Sequence, residues 1–125
     1  MEINRSVSGI SHKSLEALVE AVNREKRIFC DGVGRSRLKA EGFAMRLIQM
    51  GFTALVVGEA TTPAITRDDM LLICSASGET PMLVEHAAKA KKVGAAVMLI
   101  TTSETSSLAV LSDFVITIDA SSKTT

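Results

Sequence analysis

Two short stretches of the chain combine glycines with hydroxyl side chains in a way that suits the holding of an anion. The first, "GVGRS" at 32–36, contains Gly32, Gly34 and Ser36; the second, "CSASGET" at 74–80, sets Ser75, Ser77 and Thr80 around Gly78, directly behind the apolar run "MLLI". Glycine lets a ligand come close to backbone N–H groups, and a hydroxyl rotates to donate without having to ionise. Where such a stretch joins a strand to a helix, free N–H groups and the positive end of the helix converge on one spot. A phosphate monoester fits that chemistry: hydrogen bonds to a charged acceptor contribute about 1.5–3 kcal/mol each, so a handful hold it without a lysine. Taken singly, each stretch is also a tight strand-to-helix turn with a capping hydroxyl. The pair, at successive strand ends, favours the anion site. A dinucleotide reading is weaker: "GVGRSR" starts like G-x-G-x-x-G and Glu59 follows where a ribose-binding acid belongs, but Arg37 replaces the third glycine. That reading also gives the hydroxyls of the second loop no role.

The elements that must position these loops follow from the hydrophobic pattern. "SLEALVEAV" puts Leu15, Leu18, Val19 and Val22 on one face of a helix. "RIFC" predicts a strand ending at the first loop, and residues 36–50 predict a helix with Leu38, Phe43, Leu47 and Met50 among its apolar positions, closed by Gly51. "ALVVG" is too short for a helix and predicts a strand buried on both faces. "MLLICS" predicts the strand before the second loop; Thr80 then opens a helix with Leu83, Ala87 and Ala90 on its inner face, ending near Gly94. "AVMLIT", "SSLAVLS" and "FVITI" predict a strand, a short helical turn and a fifth strand. Apolar strands alternating with helices predict an α/β fold, a parallel sheet covered on both sides. Ligands of such sheets bind beyond the carboxyl ends of the strands, where strand order reverses.

Composition bounds the function. The 125 residues suit a single domain over 1–125, and 46% apolar with 22% charged residues is a globular balance. Aromatics are 3%, with no Trp or Tyr, which makes the core aliphatic and argues against a stacking platform for single-stranded nucleic acid. Fourteen Lys and Arg balance fourteen Asp and Glu, so no basic excess points to nucleic acid or an anionic membrane. "KAKK" at 89–92 reads as a solvated helix end, and Cys30 and Cys74 as buried thiols without metal-ligand spacing. No secretory h-region and no run of ~18 apolar residues occurs, so a soluble cytoplasmic protein is expected.

With both loops located, the sequence resembles a sugar isomerase (SIS) domain, and within that class the 6-phospho-3-hexuloisomerases. The segments that carry the resemblance are "GVGRS", "FAMRLIQMGF", "VVGEATTPAI" and "SASGET". It implies a flavodoxin-like three-layer α/β/α fold with a five-stranded parallel sheet. It implies that a hexose or hexulose phosphate is gripped by Ser36, Ser75, Ser77 and Thr80, with Gly34 and Gly78 keeping the backbone close. It implies isomerisation of 3-hexulose 6-phosphate to fructose 6-phosphate through an enediolate, in the ribulose monophosphate route, with no metal or organic cofactor. The active sites are expected between subunits of a homo-oligomer, a dimer or tetramer. The alternative within the same family is a non-catalytic module that binds or senses phosphosugars.

Three departures from the pattern stand out. Arg37 replaces a usual glycine, Glu41 replaces a usual lysine, and the family's proposed catalytic glutamate lies beyond residue 125, where a C-terminal helix is expected. The chain therefore reads as cut short, binding phosphosugars but isomerising them poorly or not at all. Moving a proton between adjacent carbons needs a base within hydrogen-bond reach. The candidates within the chain are Glu79, Glu59, His86 and His12, each with a plainer role as a helix-dipole partner, a solvated loop acid or packing residues. Thr61 and Thr62 are expected to shape the loop around Pro63.

Overall fold

The computed structural model describes residues 26–118; the predicted helix over "SLEALVEAV" and His12 fall outside them. Five strands form one wholly parallel sheet: β1 (Arg27–Asp31), β2 (Thr53–Val56), β3 (Met70–Cys74), β4 (Ala96–Thr101) and β5 (Phe114–Thr117), in the order β2-β1-β3-β4-β5. Helix α1 (Arg35–Gln49) joins β1 to β2, α2 (Pro81–Val93) joins β3 to β4, and the short α3 (Ser107–Leu111) joins β4 to β5. From β1 the chain moves one way across the sheet and from β3 the other. Right-handed crossovers therefore put α1 on one face and α2 with α3 on the opposite face. This is the flavodoxin-like order, with its reversal between β1 and β3.

Because side chains alternate along a strand, the core divides into two halves. Ile28, Cys30, Met70, Leu72, Cys74, Met98 and Ile100 meet Ala40, Phe43, Ala44 and Leu47 of α1. Phe29, Leu71, Ile73, Val97 and Leu99 meet Leu83, Ala87 and Ala90 of α2 and Leu108 of α3. Each fully buried Leu, Ile or Phe contributes about 1.5–3 kcal/mol of transfer free energy. Both cysteines are free and buried. Burial, then the neighbouring Cys74 and Asp31, push the Cys30 thiol far up, and burial pushes Cys74 to about 12, so neither ionises near neutrality.

Two expectations need correction. The strand predicted from "ALVVG" ends at Val56 and is only half-buried, with Thr53 exposed. Among the described residues the strand order places it at the edge of the sheet, with a neighbouring strand on one side only. Leu38 lies 68% exposed rather than in the core. The inward stripe of α1 is Ala40, Phe43, Ala44 and Leu47, and two residues of helix turn Leu38 to the other side, where Met45 and Ile48 are also exposed.

The ends of the elements are set by local chemistry. Thr80 caps α2 in extended conformation, and Pro81 follows at the first helical position, where its missing N–H costs nothing. Gly94 closes the helix with φ 94°, a left-handed geometry that glycine adopts freely. At the amino end of the sheet, Arg27 donates from Nε and Nη2 to both carboxylate oxygens of Asp69, at 2.9 and 2.8 Å. The Thr66 N–H and hydroxyl complete the Asp69 site at 2.7 and 3.0 Å. Burial pushes the Asp69 carboxyl up, but these donors and the Arg27 charge overcome it and hold the group below its ordinary value. This clamp ties the start of β1 to the start of β3, at the end of the sheet away from the two loops.

Candidate functional site

The two glycine- and hydroxyl-bearing loops leave the carboxyl ends of β1 and β3, which are hydrogen-bonded neighbours with Asp31 opposite Ile73. They therefore emerge side by side at the point where strand order reverses, and each feeds a helix: Gly32–Gly34 into α1, and Ser75–Thr80 into α2.

In the first loop, Gly32 packs so closely under α1 that a Cβ there would lie 2.5 Å from the Ser36 carbonyl oxygen and 2.7 Å from its carbon. Gly34, at φ 63°, is the helix cap and supplies no side chain. The Ser36 N–H donates to Val33 O at 3.2 Å and the Arg37 N–H to Gly34 O at 3.0 Å, closing the first turn. The half-buried Ser36 hydroxyl makes no hydrogen bond within the described residues.

In the second loop the hydroxyls divide their labour. Ser75 is buried, and its Oγ accepts from the Gly78 N–H at 3.0 Å, folding the loop back on itself. Gly78 has φ 72°, and a Cβ on it would run into the Ser106 side chain. Its carbonyl accepts from Leu108 N at 3.0 Å. The buried Thr101 and the neighbouring Thr102 both donate their hydroxyls to Ala76 O, at 3.0 and 2.6 Å. Thus β4 and α3 hold the loop from behind. Ser77 is exposed, its Oγ accepting from Glu79 N at 3.1 Å, which leaves its own proton free to donate outward. Thr80 caps α2 through its backbone only, and its hydroxyl makes no bond within the described residues.

The acids named from the sequence are engaged elsewhere. The Glu79 carboxylate accepts from the Ser107 N–H at 2.9 Å, at the start of α3 rather than of its own helix. Hydrogen bonding from Ser107 holds it below the usual carboxylate range. Glu59 pairs with Arg37 at 3.1 Å, and Arg37 also reaches Glu41 at 3.2 Å and donates to Val57 O at 2.7 Å. The two departures Arg37 and Glu41 therefore form one cluster that pins the turn after β2 to α1. In that turn the Thr62 hydroxyl donates to Val56 O at 2.7 Å, while Thr61 is exposed.

His86 occupies a different setting. It lies on α2, and its Nδ1 is 2.6 Å from Oδ2 of Asp31, the last residue of β1. Asp31 follows the strand alternation onto the α2 face, beyond Phe29, and its side chain is 3% exposed against 29% for His86. A cavity of about 320 Å³ opens beside them, between α2 and the 57–65 segment, with Phe29, Leu71, Glu59, Thr62, His86 and Lys89 among its walls.

Two residues enter that the sequence did not single out. Asp31 is a carboxylate closing an apolar strand just before a glycine loop, a signal present in "RIFCDG" but outweighed by the loop itself. Lys39 is half-buried and lies one turn past Ser36 on α1, on the same side of that helix. Among the described residues no group of three or more His, Cys, Asp or Glu could hold a metal ion, and no helix is long and apolar enough to cross a membrane.

Comparison with known proteins follows the same lines. The family model for the SIS domain matches residues 21–125. The 3-hexulose-6-phosphate isomerase of Bacillus subtilis is 39% identical over 122 residues, which are 98% of this chain and 66% of that protein. A Methanococcus jannaschii crystal structure, described as inferring a molecular function of 3-hexulose-6-phosphate isomerase, superposes with a TM-score of 0.77 at 34% identity. The match covers 86% of this chain and 60% of that one. The NanR protein of Vibrio vulnificus, complexed with ManNAc-6P, superposes with a TM-score of 0.74 at 28% identity, over 94% of this chain and 46% of that one. The chain thus spans less than two thirds of the length of these relatives.

Proposed function

From the chain's membership of the SIS domain family, we propose that it is a phosphosugar protein of the 3-hexulose-6-phosphate isomerase type. Its ligand on this reading is a hexulose 6-phosphate, and its reaction moves the carbonyl between carbons 3 and 2 to give fructose 6-phosphate. The observation that carries the reading is the pairing of two glycine-hydroxyl loops at the carboxyl ends of the adjacent strands β1 and β3. The phosphate is taken by the hydroxyls of Ser36, Ser77 and Thr80 and by backbone N–H groups around Gly34 and Gly78. Ser75 shapes the second loop through its bond to the Gly78 N–H. Lys39 adds a charge to a site otherwise built of neutral donors.

A domain spanning 1–125, a cytoplasmic setting, and independence of metals and nucleic acid belong to the same proposal. So does self-association. Large apolar side chains stand exposed on the outer face of α1, namely Leu38, Met45 and Ile48, and such a stripe suits a second copy of the chain. The non-catalytic alternative, a phosphosugar-sensing module, shares the binding site and differs in showing no turnover.

The test is calorimetric titration with fructose 6-phosphate against free fructose and against inorganic phosphate. Fructose 6-phosphate binds and fructose does not. Ser77→Ala lowers the affinity by about 1–3 kcal/mol with little change in stability, since its side chain is exposed. Equal affinity in wild type and Ser77→Ala would mean that the anion sits elsewhere.

A further inference from the structure

The geometry points to the Asp31–His86 pair as the device that sets the distance between the two glycine-hydroxyl loops. This inference rests on the phosphosugar reading above and concerns positioning, since neither residue belongs to either loop. Residues 75–80 make their long-range hydrogen bonds on one side only. The Ser75 N–H donates to Ile100 O at 3.0 Å, and Ala76 O accepts from the Thr101 and Thr102 hydroxyls. Gly78 O accepts from the Leu108 N–H and Glu79 from the Ser107 N–H, so every one of these bonds runs toward β4 and α3. Among the described residues none crosses to 32–36. The gap that a shared phosphate would fill is therefore spanned from behind. There His86 Nδ1 lies 2.6 Å from Oδ2 of Asp31, the last residue of β1. Asp31 directly precedes the first loop, and His86 is six residues past the cap Thr80, roughly 9 Å along α2. One bond thus joins the arm that carries the first loop to the arm that carries the second.

The strands β1 and β3 are already locked by their ladder, so what remains to be fixed is α2, whose amino end lends N–H groups to the second loop. That helix rests on the sheet through Leu83, Ala87 and Ala90. Two of the three are alanines, whose single methyl groups interlock weakly with the strands and leave the helix room to turn and slide. A hydrogen bond is directional where apolar contact is not. The Asp31 side chain is 3% exposed, and no other side chain is hydrogen-bonded to it within the described residues. A carboxylate so sealed must keep its donor, so α2 is held at one rotation and at one height along β1. Donors held in place bind an anion more tightly than the same donors free to move, because less ordering is left for binding to do.

The experiment is calorimetric titration with fructose 6-phosphate, alongside thermal melting, of wild type, Asp31→Asn, Asp31→Ala and the double variant Asp31→Leu with His86→Leu. Asp31→Asn keeps an oxygen opposite the Nδ1 N–H and binds within about threefold of wild type. The double variant puts apolar groups in place of the pair, an exchange that is neutral or stabilising at buried positions, so it melts at or above the wild-type temperature. Its affinity nevertheless falls about tenfold, because the directional bond is gone. Asp31→Ala leaves His86, 29% exposed, to turn to water, and its affinity falls by a similar factor. Removing a carboxylate near an anion site favours the anion by charge alone, so weaker binding reports lost geometry. Wild-type affinity in the folded double variant or in folded Asp31→Ala overturns the inference, as does an Asp31→Asn protein that binds as weakly as the double variant. Absence of binding by wild type overturns the phosphosugar reading and this inference together, so titration of the wild type tells the two failures apart.

Discussion

The same substitution at two glycines ten residues apart is expected to have opposite effects, and the difference measures how tightly the first loop is built. Gly32→Ala puts a methyl group 2.5 Å from the Ser36 carbonyl oxygen, 2.7 Å from its carbon and 2.9 Å from the Arg37 nitrogen. All three are backbone atoms of the first turn of α1, so no side chain can swing aside. Ordinary contact between carbon atoms begins near ~3.5 Å, so the start of the helix must retreat by roughly 1 Å. Overpacking of this kind costs about 1–3 kcal/mol. Gly42 lies exposed in the middle of the same helix, and a Cβ there meets nothing within 4 Å. Alanine at that position stabilises by about 0.5–1 kcal/mol, because it restricts the unfolded chain and favours the helix. Urea denaturation of the three proteins at a common m-value should therefore place Gly42→Ala above wild type and Gly32→Ala below it, separated by about 1.5–4 kcal/mol. Retreat of the helix start also moves the Ser36 hydroxyl and the positive helix end, so fructose 6-phosphate affinity should fall about tenfold or more in Gly32→Ala, about 1.4 kcal/mol, and be unchanged in Gly42→Ala. A Gly32→Ala protein that melts with wild type would refute the close approach, and a destabilised Gly42→Ala would refute the open helix face.

The remaining expectations concern the sheet's far end and the outer face of α1. Asp69 is held below its ordinary value in the folded protein, so its contribution is fully present above the unfolded value near ~3.9 and is lost as pH falls through the folded one. Asp69→Asn should cost about 2–3 kcal/mol at neutral pH and flatten the acid limb of stability, measured by urea melts between pH 7 and 3; an unchanged acid limb would show that the Arg27 clamp contributes nothing. For self-association, Leu38→Glu with Met45→Glu should shift sedimentation toward monomer without lowering the melting temperature, since both side chains are more than half exposed. A wild type that sediments as a monomer at high concentration would dispose of the α1 interface.

How much of this was legible from residues alone can be judged element by element. "AVMLIT" is β4 residue for residue, and Leu83, Ala87 and Ala90 form the buried stripe of α2 because helical spacing and apolar character agreed there. Gly94 ends that helix as its left-handed conformation requires. Hydrophobic runs, a proline, a glycine and their periods are local properties, and local properties are written in order along the chain. The edge position of β2 was not legible, since an apolar run looks the same in the middle of a sheet as at its border, and strand order is decided by non-local pairing. Leu38 misled for a related reason: its chemistry is that of a core residue, and only the angle at which α1 meets the sheet turns it outward.

The candidate site divides along the same line. The glycines and hydroxyls of both loops could be read directly, because each loop is a continuous stretch whose composition declares its backbone. Which hydroxyls face inward was settled only by packing, as Ser75 turns back to the Gly78 N–H while Ser77 faces out. The partners of Glu79, Arg37 and His86 lie 28, 22 and 55 residues away in sequence, at Ser107, Glu59 and Asp31. No local pattern announces such pairs, since side-chain hydrogen bonds act over a few ångströms in space and the folded chain alone determines which residues come that near.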